Sequence, residues 1–426
     1  MSAPLGRWLA RTFINRNFAL FILGTAGSGT GYWFLLVALG WLVLELGNST
    51  FLLGLATFAQ MAPMFVLGLF GGVVADRFNR KTIMLAAQLV VVAANAVLAL
   101  AASLGLLTIP VILACSLVFG LANSVLWPTW SVFIKDLVGA AHLRQAVALN
   151  AARFNLTRVV GPALAGIMLQ HLGPAWCLWV GLLSSLGIIA TILLMRLPPW
   201  QPPPAAGSVL TSVREALTAV WQTPPVRRLL GVTGMIGLVA LPFQAFLPAL
   251  ARDSLRAGPD VLGLLTAAVG AGAILGALGS GAPLARARPA WTLTALAAGV
   301  VAGLALLAAA TTLWLALVAL GLLGLATIGF LSIANASIQL GVPDALVGRV
   351  MGLWVVMNAG TQPIGSLIEG AIAERWGLGT TFAGAALICG LAVVWLVAQE
   401  AARGRQPSAI SPRLPAAVCT AGRAPR

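Results

Sequence analysis

Twelve apolar stretches organise this chain: 18–45, 51–75, 82–106, 109–134, 145–170, 175–196, 228–250, 261–285, 290–311, 313–339, 349–373 and 378–399. Each has the roughly 20 apolar residues that a helix needs to cross a hydrocarbon layer of about 30 Å. The remaining residues cannot wet a soluble particle. Only 8% of the 426 residues are charged and 60% are apolar, whereas soluble domains carry roughly a quarter charged residues. The chain therefore reads as an all-α membrane protein of twelve transmembrane helices.

One connection is long. Residues 197–227 hold Pro198, Pro199, Pro202, Pro203 and Pro204, then a short polar helix-like piece around Glu215. This divides the chain into an N-terminal six-helix bundle (1–196), a cytoplasmic linker (197–227), a C-terminal six-helix bundle (228–400) and a disordered cytoplasmic tail (401–426). Glycines coincide eight times at an offset of 204: 27/231, 54/258, 68/272, 72/276, 120/324, 161/365, 166/370 and 173/377. Chance gives about 2.5 such coincidences, so a parallel internal duplication is expected.

The formal charge is +15, which in a soluble chain would raise nucleic-acid binding. Its placement excludes that partner. With the N-terminus inside, 20 of the 25 Lys and Arg residues fall on cytoplasmic segments, while Arg252, Arg256 and Arg375 fall outside and Arg153 and Arg158 fall within a span. Positive residues concentrate on cytoplasmic loops, so both termini are predicted to be cytoplasmic, in a bacterial inner membrane. Met1 to Arg16 reads as a retained start, not a cleaved signal. Trp176, Trp291, Trp314 and Trp376 begin spans, as interfacial aromatics do. The four cysteines have no metal or disulfide spacing.

The turn between the second and third stretches reads Gly72-Val73-Val74-Ala75-Asp76-Arg77-Phe78-Asn79-Arg80-Lys81. It resembles the signature loop of the major facilitator superfamily, G-x-x-x-D-R-x-G-R-[RK], with Asn79 in place of the usual Gly. Asn tolerates a left-handed backbone, so a left-handed turn is expected at Asn79. The resemblance implies the major facilitator fold, with two six-helix bundles. It also implies a cytoplasmic gate of Gly72, Asp76, Arg77, Arg80 and Lys81, with Asp76 held against the eleventh span and the cations binding locally or to lipid phosphates. The matching loop of the second half keeps Gly276, Arg286 and Arg288, but Ser280 stands where Asp76 maps.

The fifth stretch is unusually polar, with Asn150, Arg153, Asn155 and Arg158 ahead of Gly161-Pro162-Ala163-Leu164-Ala165-Gly166. Its N-x-x-R-x-x-G-P-A-L-A-G run resembles the enterobactin-exporter and macrolide-efflux-like branch of that superfamily. So do Trp41-Leu42-Val43-Leu44 and Leu53-Gly54. Gly161, Pro162 and Gly166 serve helix bending and close packing, and their partial likeness to the G-P-x-x-G-G motif of exporting members favours export. A cation deep in a span must face a cavity or a partner. Arg158 and Arg153, with Asn123, Trp127, Asn150, Asn155, Asn335, Gln339, Asn358 and Gln362, are therefore substrate-cavity residues or structural pairs. Glu369, the one acid well within a span, is the proton-coupling residue or an interhelical hydrogen bonder.

No G-x-x-x-x-G-K-[ST] run occurs, so ATP does not drive the process directly. No cofactor, metal cluster or catalytic nucleophile is expected, and the chain is not read as an enzyme. The favoured function is a monomeric secondary transporter that exports a small lipophilic or siderophore-like molecule by proton antiport. A proton-coupled uptake symporter of the same fold is the alternative. A non-transporting sensor or intramembrane enzyme would need a signalling domain or clustered catalytic groups.

Overall fold

A computed structural model of the chain describes residues 15–196, 209–281 and 289–404. Arg7, Arg11, the proline cluster of the linker, Arg286, Arg288 and the tail from 405 lie outside the described residues. So do the side chains of 68–77, Gly72, Asp76 and Arg77 among them.

Every regular element in the described residues is helical. In chain order these are α1 (Arg16–Gly47), α2 (Thr50–Arg77), α3 (Arg80–Ser103), α4 (Ile109–Leu172), α5 (Pro174–Leu194), α6 (Val209–Gln222), α7 (Pro224–Met235), α8 (Pro259–Ser280), α9 (Pro289–Ala308), α10 (Leu313–Leu340), α11 (Asp344–Val355) and α12 (Gln362–Gly404). In hydrocarbon, a helix satisfies its own backbone polar groups, and most of these helices are apolar all round, as buried spans are. Polar caps mark their starts. Asn15 accepts from the Asn17 and Phe18 amides, Asn79 from Lys81, and Thr312 from Leu315. Prolines occupy the first turns of α4, α5, α7 and α8, where their missing N–H costs nothing.

Asn79 departs from the expected left-handed turn. Its φ of −60° and ψ of 117° are extended, because it acts as the N-cap of α3, and an N-cap residue adopts extended geometry.

Ten helical segments among the described residues are long and apolar enough to cross a membrane. Two of the twelve predicted stretches are not counted separately, for identifiable reasons. Residues 145–170 continue α4 past Gly139, whose φ of 69° breaks the helix, and their polar side chains lower the apolarity. Residues 349–373 and 378–399 join in one segment, Leu346–Trp395, bent at Gly377 with φ 82°. Positive φ is open to Gly without steric cost.

The seventh stretch is not a plain helix. After α7 it passes through a π turn (Ile236–Ala240), a 3-10 turn (Leu241–Phe246), a short α turn (Leu247–Ala249) and a second π turn (Leu250–Ser254). Pro242 and Pro248 remove two backbone donors here, and a helix absorbs such losses by local 3-10 or π adjustment.

Packing within the two halves is alike in part: the α2–α4 and α3–α4 pairs recur as α8–α10 and α9–α10. In the first half α1 lies along α4 and α5, and α3 also packs on both; in the second, α10 packs between α8 and α9, and α9 meets α12. Two seams join the halves: α2 against α12, and the second part of α4 against α8.

Candidate functional site: two seams and the polar groups behind them

Both seams are built from glycine. Between membrane helices the close approach of small residues replaces the hydrophobic drive of water. On the α4–α8 seam, a Cβ at Gly166 would lie 2.6 Å from the Pro259 carbonyl oxygen and 2.8 Å from the Gly263 Cα. A Cβ at Gly270 would lie 2.8 Å from the Arg158 carbonyl oxygen. On the α2–α12 seam, a Cβ at Gly54 would collide with the Ser366 carbonyl, and one at Gly370 would lie 3.1 Å from that of Thr50. Gly360 leaves room for the Phe65 ring.

The two seams repeat each other at the 204-residue offset. Gly54 meets Gly370 on one; their counterparts, Gly258 and Gly166, flank the other, where Gly166 meets Pro259 and Gly258 meets Gln170. Asn48 and Arg252 are counterparts as well, and they touch. Arg252 donates from Nη2 to Asn48 Oδ1 at 2.6 Å and from Nη1 to the Leu44 carbonyl at 2.7 Å. It thereby caps the C-terminal turn of α1, where a cation complements the helix dipole. Across the other seam, Glu374 Oε2 accepts from the Thr50 amide at 2.7 Å, the Phe51 amide at 3.2 Å, and the Ser49 and Thr50 hydroxyls at 3.0 Å each. An acid thus caps the N-terminus of α2, the complementary end.

The contacts of Gly54, Gly166, Gly258, Gly370, Arg252 and Glu374 lie toward the end that carries the 47–50, 172–174, 254–259 and 374–377 connections, and those of Gly270 and Gly360 lie near mid-span. Among the described glycines, close approach across the seams stops at Gly360 and Gly270. Toward the other end, Gly279, Gly348 and Gly352 would meet nothing within 4 Å on gaining a Cβ. Among the described glycines, tight contact between the halves is found at the end with those connections, the closed end of this state, and not at the other.

Behind the seams sit the polar residues singled out from the sequence. Arg153 donates from Nη1 to the Thr25 carbonyl of α1 at 2.6 Å, and from Nε and Nη2 to Asn150 Oδ1 at 3.3 and 3.0 Å. Thr25 in turn spends its hydroxyl on the Phe21 carbonyl. Gly29 faces this cluster, since a Cβ there would come within 3.0 Å of Arg153 Nη1. Arg158 is half-buried one turn further on, while Asn155 donates to its own Ala151 carbonyl at 2.9 Å. Gln339 donates to Asn335 along α10 at 2.6 Å. Asn123 and Gln362 are half-buried and Trp127 is exposed.

Gly161 is the close-packing point for Trp33 of α1, and the Pro162 carbonyl abuts Gly263. Glu369 is 7% exposed, and its Oε2 has no hydrogen-bond partner among the described residues; the same holds for Asn358 Oδ1 and the Ser366 hydroxyl. At the opposite end, Arg80 pairs with Asp136 at 2.5 Å and Lys81 donates to the Leu193 and Met195 carbonyls. Arg349 of α11 pairs with Glu215 of α6.

Glu374, Arg252 and Asp136 were not singled out by sequence reasoning. Glu374 and Arg252 stand at span ends, where charge is ordinary, and only the offset placing Arg252 opposite Asn48 could have drawn attention to them.

The family described as transmembrane secretion effector matches residues 10–415. The chain is 29% identical over 374 residues to the multidrug efflux pump Tap of Mycolicibacterium fortuitum, covering 85% of this chain and 90% of that protein. It is also 29% identical over 331 residues to the enterobactin exporter EntS of Shigella boydii, covering 76% and 77%. Among solved structures it resembles the nucleoside transporter NupG, with a TM-score of 0.72 at 14% identity over 90% of this chain and 99% of that one. It also resembles a bacterial homologue of the human lysosomal transporter Spinster in an inward-facing, unoccupied conformation. That TM-score is 0.66, at 15% identity over 91% and 95% of the two chains. These structural likenesses speak to the fold alone.

Proposed function

We propose that this chain, which belongs to the transmembrane secretion effector family of major facilitator transporters, exports a small lipophilic or siderophore-like molecule by proton antiport. It does so by alternating access between two six-helix bundles, 1–196 and 228–400, joined by the 197–227 linker. In this reading residues 145–170 are the fifth of twelve spans, and Gly377 separates the eleventh from the twelfth. The termini are cytoplasmic, so the closed end is the outer one.

The carrying observation is the pair of offset-related seams, whose tight glycine contacts among the described residues lie at one end and mid-span. Two similar halves meeting in this way can exchange which end is closed by rocking about the centre. Substrate enters from the slack end. Arg153 and Asn150 offer polar groups at the α1–α4 junction, and Asn123, Trp127, Arg158, Asn335, Gln339, Asn358 and Gln362 supply scattered polar and aromatic contacts. Asp76, with Gly72, Arg77, Arg80 and Lys81, closes the cytoplasmic end in the other state. Glu369 carries the coupled proton, being a buried acid with an unpartnered oxygen that has to reach water once per cycle. Export is favoured because the relatives matched over most of the chain are named as an efflux pump and an exporter.

The test is uphill accumulation in inside-out vesicles from an efflux-deficient host, with a panel of lipophilic dyes and catecholate siderophores. Export predicts accumulation when the vesicle lumen is acidic and loss of it on adding a protonophore. Accumulation only in right-side-out vesicles would overturn the direction.

A further inference from the structure

The duplication makes one difference between the halves stand out. In the first half, α1 and α5 are sealed along their length. A Cβ at Gly24 would collide with the Thr191 hydroxyl, and one at Gly31 with that of Ser184. Asn17 and Arg196 close the end of the same seam with reciprocal bonds of 2.7 and 3.1 Å. At the 204-residue offset the corresponding residues are Arg228 for Gly24, Met235 for Gly31 and Trp395 for Thr191. Three small residues have become three of the largest. The α7–α12 seam consequently stays open, and a cavity of about 480 Å³ lies there between Arg227, Arg228, Gly231 and Met235 on α7 and Ala392 and Trp395 on α12.

Chemistry and position identify what fits this cavity. Its volume falls in the roughly 300–1,000 Å³ range of small-ligand clefts. The body is apolar, and the two arginines stand at one end, in the first turns after Pro224, where a span leaves the interface. Arg227 is already oriented: its guanidinium lies 5.0 Å from the Trp221 ring centroid and donates to the Trp221 carbonyl. A planar guanidinium matches a phosphate oxygen pair. Flanking Leu391 and Val394 are 64% and 66% exposed, so the cavity opens sideways onto the surface that faces lipid.

We propose that this seam holds one anionic phospholipid, its phosphate on Arg227 and Arg228 and an acyl chain laid along Gly231, Met235 and Trp395. Basic pockets between transmembrane helices on the cytoplasmic side take such headgroups. The lipid completes a seam that the first half closes with glycine.

The full-length protein, purified and stripped of lipid in detergent, is titrated by native mass spectrometry with phosphatidylglycerol, with phosphatidylcholine and with inorganic phosphate. One phosphatidylglycerol is expected to bind ahead of phosphatidylcholine. Affinity should fall about fivefold for Arg227→Gln or Arg228→Gln, and roughly 25-fold for both. Gly231→Leu fills the cavity without a clash, since a Cβ there meets nothing within 4 Å, and should lower binding about tenfold with no charge removed. Its lipid-free melting temperature should match wild type, and the arginine variants carry the test if it does not. Equal binding of the two lipids, or unchanged binding in the double arginine variant, overturns the site. Displacement of the lipid by equimolar phosphate overturns the acyl-chain assignment.

Discussion

Glu374 offers the sharpest test of how the closed end is held. Its Oε2 collects four hydrogen bonds from Ser49, Thr50 and Phe51, and it reaches them across the boundary between the halves. The first-turn amides of a helix lack partners of their own. Here the Ser49 hydroxyl serves the Leu52 amide, leaving Thr50 and Phe51 to the carboxylate. Removing an N-cap costs about 0.5–2 kcal/mol, and an anion at a helix N-terminus adds about 0.3–1 kcal/mol. Both groups are exposed, so water takes over part of the loss. We therefore expect Glu374→Ala to weaken closure by about 1–2 kcal/mol, a factor of roughly 5–30 in the open-to-closed ratio. Glu374→Gln keeps an acceptor but loses the charge, and should fall near the lower bound.

The assay is a distance measurement. Spin labels go on Leu106→Cys, in the connection after α3, and Trp314→Cys, in the first turn of α10, both exposed and at the closed end; Cys115, Cys177 and Cys389 are buried, and Cys419 is replaced. Pulsed electron resonance should show a longer-distance population growing in the order wild type, Gln, Ala. The variants must retain wild-type helicity for the comparison to hold. An unchanged distribution in Glu374→Ala would refute the latch, because the bonds would then be incidental to closure.

Other perturbations probe neighbouring parts of the argument. Gly166→Ala places a Cβ 2.6 Å from the Pro259 carbonyl oxygen, so α4 and α8 have to separate by about 0.8 Å to reach ordinary contact; overpacking of this kind costs about 1–3 kcal/mol. The expected result is the same lengthened distances plus slower transport, read in the spin-label and vesicle assays. Glu369→Gln should abolish the dependence of efflux on the pH gradient while leaving substrate binding measurable by fluorescence quenching; gradient-dependent efflux in that variant would remove Glu369 from coupling. Arg153→Lys keeps the charge but cannot hold Asn150 and the Thr25 carbonyl together, and should weaken substrate binding about tenfold, the loss of a charge-assisted hydrogen bond. Asp76→Asn should lower the transport rate with normal membrane insertion, checked by vesicle flux against protein content.

Much of this architecture was legible in the chain because hydrocarbon is a strict solvent. Long apolar runs in a bilayer have to become helices, and the eight glycine coincidences set the offset at which the two seams also match. Gly54, Gly166 and Gly370 were visible as small residues, but their pairing across the seams depends on helix rotation, which an all-round apolar helix does not encode. The irregular seventh span was hidden for a related reason. Pro242 and Pro248 announce a disturbance, yet whether a helix kinks, unwinds or widens is decided by what packs on it, here Gly365 against the Leu238 carbonyl and Pro242. Asn79 was misread because Asn serves two backbone conformations, and the helix start next to it decides between them.

The same offset shows where the halves have ceased to be copies. Arg153, Asn150 and Thr25 correspond to Met357, Trp354 and Leu229, an apolar set, so the cationic cluster exists in the first half alone. Glu369 corresponds to Ala165, and the acid exists in the second half alone. Gln170 stands where Glu374 does, keeping a polar group at the closed end but not the charge. A carrier with two identical halves would bind its cargo and its proton on the same elements, and the two would compete through direct contact. Placing the cation on α4 and the acid on α12 puts them on opposite sides of the boundary that moves. In the proposed antiport one then senses the other through the shared opening of the seams, where α12 itself passes Gly54 and α4 passes Gly263. Under the proposed antiport, coupling runs through closure, and changes at Gly166 or Glu374 should uncouple proton and substrate flux without touching Arg153 or Glu369.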